Sequence, residues 1–149
     1  MTKDIKSAVP ELQCAWNKIK SKCSKIGIDV RLSCVSRSQG EQCVLYLRGR
    51  YSLALVEQIY FKVFNVTLTE KTNVIVTNTI YSKHVLTKTH PLSRALDFYV
   101  YHDGIATWDI KADFNNDKNK DYLQVINMFE TEGLKSGKGW GDYCHIEVI

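Results

Sequence analysis

His145 lies in a strand-like closing segment, Trp140-Gly-Asp-Tyr-Cys-His-Ile-Glu-Val-Ile149, and it has partners by residue type upstream in His90 and Asp97. Two histidines and a carboxylate are a donor set suited to zinc, since a catalytic zinc is typically held by three protein nitrogen and oxygen ligands and keeps a fourth position open for water. Such a site usually carries out hydrolysis. The first expectation is therefore a Zn2+ cofactor held by His90, Asp97 and His145.

Those residues need elements to position them. Leu12, Ala15, Trp16, Ile19, Cys23 and Ile26 recur at steps of three and four, with lysines between, which predicts an amphipathic helix ended by Gly27. Ile28, Val30, Leu32 and Cys34 alternate with Asp29, Arg31 and Ser33 as in a half-buried strand, and Arg37 follows just past its end. Helices are expected from Gln39 to Leu47, closing at Gly49, and from Leu53 to Phe64, followed by a polar turn from Asn65 to Asn73. Val74-Ile-Val-Thr77 reads as a short buried strand entering a long loop, Asn78 to Pro91, that delivers His90.

From Ala95 to Tyr101 the pattern alternates again, with Leu96, Phe98 and Val100 on one face and Asp97 on the other. A turn at His102-Asp-Gly104 joins this strand to Ile105-Ala-Thr-Trp108 as a hairpin. The polar stretch 113–121 reads as a solvated loop before a helix with Tyr122, Leu123, Ile126 and Phe129 inside, ended at Gly133. In the last strand Cys144, Ile146 and Val148 face the core, which leaves His145 and Glu147 on the side that Asp97 occupies. Residues three apart on an extended chain point to opposite faces, so Asp142 joins His145 only from the turn before the strand, where Gly139 and Gly141 supply backbone freedom. With no repeat or linker, residues 1–149 read as one α+β domain: a small antiparallel sheet with helices packed against it and the zinc site on its non-core face.

Composition narrows the class. Hydrophobic residues make up 44% and charged residues 24%, which places the chain among globular domains rather than disordered segments. No apolar run approaches the roughly 18 residues of a membrane span, and the first residues do not lead into an apolar signal core, so no membrane insertion and synthesis without a signal peptide are expected. Five cysteines, 14, 23, 34, 43 and 144, cannot all pair and read mostly as reduced core thiols. A net charge of +4 and a pI near 8.7 suit an anionic partner, but no Lys/Arg-rich run or basic-aromatic stripe points to nucleic acid.

At this point the chain resembles a zinc peptidase family, that of the D-Ala-D-Ala carboxypeptidases and dipeptidases and the phage L-alanyl-D-glutamate endopeptidases. Ser36-Arg37-Ser38, Glu41-Gln42, Leu45-Tyr46 and Gly49-Arg50 are similar to a block of the endolysin branch, and Val76-Thr77-Asn78 to its next strand. His90, Ala95 and Asp97 fit Ser-X-His-X-X-Gly-X-Ala-X-Asp, with Lys88 and Ser93 where Ser and Gly are usual. Gly133-Leu134, Gly137, Gly139-Trp140 and Asp142-X-X-His145 fit the closing element, with a short stretch between Trp140 and Asp142. The resemblance runs in order through residues 9–149.

The resemblance implies that His90, Asp97 and His145 bind zinc, that Asp142 is the general base and that Arg37 faces the site to polarise the scissile carbonyl or stabilise the oxyanion. Arg37 is equally placed to pair with Glu41, and Glu41-Gln42 to cap or pack the following helix. His84 and His102 read as surface residues, with His84 the spare ligand in the same loop. Cys144 is turned to the core, and Trp140 forms either a wall of a substrate cleft or a packing anchor. The implied activity is hydrolysis of the L-Ala-D-Glu bond in the bacterial peptidoglycan stem peptide by metal-activated water, by a monomer made in a phage host's cytoplasm and released to the wall. Two rivals share the scaffold. A D-Ala-D-Ala carboxypeptidase or dipeptidase needs a cation for a terminal carboxylate, and Arg37 or Arg94 offers one; a zinc-containing wall-binding or phage structural module needs no base, and Asp142 argues against it.

Overall fold

The computed structural model describes all residues from Met1 to Ile149. After a 3-10 turn at Ile5–Ser7, helix α1 (Pro10–Lys25) leads to strand β1 (Asp29–Cys34), and helices α2 (Gln39–Leu47) and α3 (Leu53–Phe64) follow. Strands β2 (Ala95–His102) and β3 (Ile105–Thr107), helix α4 (Asp121–Thr131), and strands β4 (Lys135–Gly137) and β5 (Asp142–Glu147) complete the chain. The strands form one antiparallel sheet in the order β1-β2-β5-β4, with β3 paired to the far end of β2. The α+β arrangement expected from the pattern is the one observed.

Helices α1 and α4 cover one face of the sheet. Trp16 of α1 stacks on Phe129 of α4 with ring centroids 6.4 Å apart, and Phe98 of β2 meets Tyr122 at 5.1 Å and Phe129 at 5.8 Å. Leu96, Phe98, Val100 and Ile146 are almost wholly buried in this layer, each side chain contributing on the order of 1.5–3 kcal/mol by leaving water. Pro10 at the first turn starts α1, and Gly27 at φ +81° turns the chain from α1 towards β1. Asp103 (φ 48°) and Gly104 (φ 80°) are both left-handed, as a two-residue hairpin turn between β2 and β3 requires. No helix is long and apolar enough to cross a membrane.

Three departures from the sequence pattern matter for the site. Val74–Thr77 is not a buried strand: Val74, Ile75 and Val76 are about half exposed, and no regular element lies between α3 and β2. Side chains of α2 and the turn after it take the hydrogen bonds a ladder would have used, Arg50 donating to the Thr77 carbonyl (2.9 Å) and Gln42 to that of Thr79 (2.6 Å). Backbone at Val74 and Ile75 passes so close to Gly49 that a Cβ there would lie 2.3 Å from the Ile75 nitrogen. Secondly, β1 carries a bulge. Its register with β2 slips between Leu32, opposite Phe98, and Cys34, opposite Asp97. Alternation alone puts Cys34 with Leu32 in the core; the extra residue returns it to the side of Asp97. Thirdly, the cysteines are not uniformly internal: all five are free, but Cys14 and Cys43 are exposed and Cys144 is half-buried.

Candidate metal centre and cleft

The non-core side of the sheet forms the floor of a cleft of about 960 Å³. Asp97 on β2 and His145 on β5 are direct cross-strand partners, and His145 Nδ1 lies 3.0 Å from Asp97 Oδ1. The third member is His84. Its Nε2 is 3.1 Å from Asp97 Oδ1 and 3.3 Å from His145 Nδ1.

His84 is only 2% exposed because its segment is sewn into the fold. Arg37 N donates to the His84 carbonyl (3.0 Å), Leu86 N to that of Arg37 (3.2 Å) and Arg94 N to that of Lys83 (2.9 Å). His84 Nδ1 lies 2.8 Å from the Val35 carbonyl, which can only accept, so Nδ1 carries a proton and Nε2 is the nitrogen turned to Asp97 and His145. His145 is oriented likewise from behind: its Nε2 donates to Glu147 Oε2 at 3.2 Å, leaving Nδ1 for the cleft. A carboxylate or carbonyl behind each imidazole is the usual support of a metal-binding histidine.

The electrostatics follow from crowding. Burial alone would lower the His84 pKa, yet the Asp97 charge and hydrogen bond outweigh it and raise it to about 9. Burial pushes the Asp97 carboxyl up, but His84 and His145 together hold it far below the usual carboxylate range. Arg37 Nη2 adds a bond to Asp97 Oδ2 at 3.2 Å while Nη1 reaches Gln42 Oε1 at 3.2 Å. The pairing of Arg37 with Glu41 does not form, because Glu41 closes a capping box with Ser38 and meets the N-terminal amine of Met1.

Cys34, His84 and Asp97 bring ligand atoms within 4.8 Å of one another, a group able to hold a metal ion. The Cys34 thiol, however, approaches His84 at Nδ1 (3.9 Å), the nitrogen engaged by Val35. His84 Nε2, Asp97 Oδ1 and His145 Nδ1 make the tighter set, a triangle with edges of 3.0–3.3 Å. Tetrahedral zinc with bonds of ~2.0–2.1 Å spaces its ligands by roughly 3.3–3.4 Å, so the donors fit it with little movement.

His90 does not join them. It is exposed, lies outside the cleft in a separate hollow with Gln39 and Arg94, and is held by Thr87 and Thr89. The expected Ser-X-His element is met instead by Ser82-Lys83-His84, with eleven residues from His84 to Ala95 where the uninterrupted pattern has five. Six additional residues loop out through His90, and a spacing-based reading selects a histidine that lies outside the cleft. The one available signal was the serine, which precedes His84 by two positions but not His90.

Asp142, Trp140 and Arg37 all line the cleft. The β4–β5 register explains Asp142: it pairs Ser136 with Ile146 and then jumps, setting Gly137 opposite Asp142 and leaving Tyr143 to His145 as the irregular stretch. A Cβ on Gly137 would sit 3.0 Å from the Cβ atoms of both Asp142 and His145, so those two atoms are at most 6.0 Å apart. Cys144 packs partly buried against the core, its thiol meeting Asp142 Oδ1 at 3.1 Å, and burial raises its pKa. Trp140 is 53% exposed at the cleft edge, its ring 6.1 Å from that of His145. His102 is apart from the centre, stacked on Phe114.

No protein-family model matches the chain. Similarity to a known protein does exist. Over 135 residues the chain is 29% identical to the peptidoglycan L-alanyl-D-glutamate endopeptidase CwlK of Bacillus subtilis (strain 168), a match covering 88% of this chain and 67% of that protein.

Proposed function

We propose that the chain is a zinc-dependent peptidase that cleaves the peptidoglycan stem peptide at the L-Ala-D-Glu bond. The observation that carries this reading is the convergence of His84 Nε2, Asp97 Oδ1 and His145 Nδ1 on the floor of an open cleft with Asp142 beside them. Similarity to CwlK, a peptidoglycan endopeptidase, supports the substrate class.

His84, Asp97 and His145 would hold the ion, which when bound supplies Lewis-acid activation of water, lowering its pKa from 15.7 towards ~7 in well-studied sites. Asp142 accepts a proton from the attacking water and returns it to the leaving amine. Trp140 offers an aromatic wall to the peptide. Arg37, 10% exposed at its side chain, is a positioning residue that fixes the Asp97 carboxylate, not an oxyanion donor.

The cations favour an endopeptidase over a carboxypeptidase. A terminal carboxylate needs a free cation, but Arg37 holds Asp97 and Gln42, Lys83 holds Glu147 and the Val148 carbonyl, and Arg48 is tied to Tyr60 and Thr72. Arg94 faces the hollow with His90. Digestion of purified peptidoglycan, with new termini read by mass spectrometry, tests the reading: D-Glu amino termini should appear, and should vanish in Asp142→Asn with zinc still bound. Released D-Ala would move the assignment to the carboxypeptidase, and no product from any wall would leave a binding module.

A further inference from the structure

Between β3 and α4 the chain runs Asp113-Phe-Asn-Asn-Asp-Lys-Asn-Lys-Asp121, oxygen-bearing side chains at every second position, ending on the first residue of α4. The spacing follows that of a calcium loop, D-x-[DN]-x-[DN]-G-x5-E, with Lys118 at the glycine position and Gln124 at the last. Backbone geometry agrees. Lys118 adopts φ +69°, the left-handed conformation for which that loop uses glycine, and the Asp113 carboxylate accepts from the backbone N–H of Asp117 (3.1 Å) and Lys118 (2.9 Å), wrapping the loop around it.

Asp121 brings a buried carboxylate to the end of this loop. It is 1% exposed, and while Oδ2 accepts from Phe114 N at 3.0 Å, Oδ1 is buried with no partner. A buried carboxylate oxygen left bare costs free energy that a cation would recover. Burial, and then the neighbouring charges of Asp113 and Asp117, push the Asp121 carboxyl up, so its charge lies in the field of the other two. Gln124 donates to both oxygens of Asp117 (3.0 and 2.9 Å), which ties the last position of the loop to its centre.

We infer that residues 113–124 form a second metal site, a calcium loop in which Asp113, Asn115, Asp117 and Asp121 supply side-chain oxygens. It lies at the start of α4, whose Tyr122 hydroxyl donates to the Phe98 carbonyl next to Asp97, so occupancy braces the helix behind the cleft. With three carboxylates and a neutral Gln124 in place of a bidentate glutamate, the affinity belongs with weak extracellular modules, a Kd on the order of 10⁻⁴–10⁻³ M.

The test is a CaCl2 titration of the zinc-loaded full chain followed by amide NMR shifts, alongside thermal unfolding. Saturable shifts centred on residues 113–124 with a rise in Tm are expected. Asp117→Asn, at an exposed position, should fold normally and weaken the response at least tenfold, as should the isosteric Asp121→Asn. No saturable change up to about 20 mM calcium, well above the expected Kd, would overturn the inference. So would shifts confined to the His84 region, or wild-type affinity in both variants. The readout does not depend on peptidase activity, so failure here and failure of the proposed function are separate results.

Discussion

Gly137→Ala should disable the site without unfolding the protein. Gly137 has φ −79° and ψ 2°, a conformation that alanine adopts freely, so the backbone does not object to a side chain. The neighbours do. A new Cβ would lie 2.2 Å from the Asp142 carbonyl oxygen against an ordinary contact of at least 3.4 Å, so about 1.2 Å of movement is required, and it would press the Cβ atoms of Asp142 and His145 at 3.0 Å as well. Overpacking of this kind costs about 1–3 kcal/mol, within the ~5–15 kcal/mol stability of a typical domain. Displacing a base and a ligand by about 1 Å, by contrast, costs about 100-fold in turnover. The assay is kcat for release of amino termini from peptidoglycan, with circular dichroism to verify folding. Gly139→Ala is the control, because nothing lies within 4 Å of its Cβ. A folded Gly137→Ala protein with kcat within about threefold of wild type would refute the packing argument.

Other consequences can be checked with metal analysis and calorimetry. His84→Ala should lose stoichiometric zinc and activity while His90→Ala keeps both; the reverse pattern in plasma emission spectrometry would restore the exposed histidine. Glu147→Gln weakens the hydrogen bond behind His145 and should lower zinc affinity by about 10- to 100-fold in a competition titration, with an unchanged affinity counting against Nδ1 ligation. In the metal-free protein His84 titrates at about 9, above its ordinary 6.5, so its ion pair with Asp97 stabilises the fold fully below about pH 6.5 and that contribution fades as pH rises through 9. Zinc loading near pH 7 must then expel close to one proton from His84, seen as a dependence of the binding enthalpy on buffer ionisation; no buffer dependence would show that His84 was already neutral.

Much of the scaffold could be read from periodicity because these elements bury one face each. The stripes of α1 and α4 and the alternation in β2 are direct records of burial, and they place Asp97 and His145 on the same side of the sheet. What periodicity could not show were the points where the ladder skips. The β1 bulge returns Cys34 to the side of Asp97, and the β4–β5 jump brings Asp142 beside His145; no residue pattern encodes either shift in advance. Val74–Thr77 has strand composition, but Arg50 donates to the Thr77 carbonyl and Gln42 to the Thr77 hydroxyl, a tertiary effect that overrides propensity. His84 was missed for a different reason, the additional loop through His90, which preserves a familiar spacing around an imidazole outside the cleft.

Anomalous diffraction at the zinc edge from crystals of the zinc-loaded protein tests the central claim most directly. The account predicts one strong peak within bonding distance of His84 Nε2, Asp97 Oδ1 and His145 Nδ1, with Asp142 alongside. A peak at His90 or on Cys34 Sγ without His145, or no peak in protein that binds zinc in solution, would contradict it.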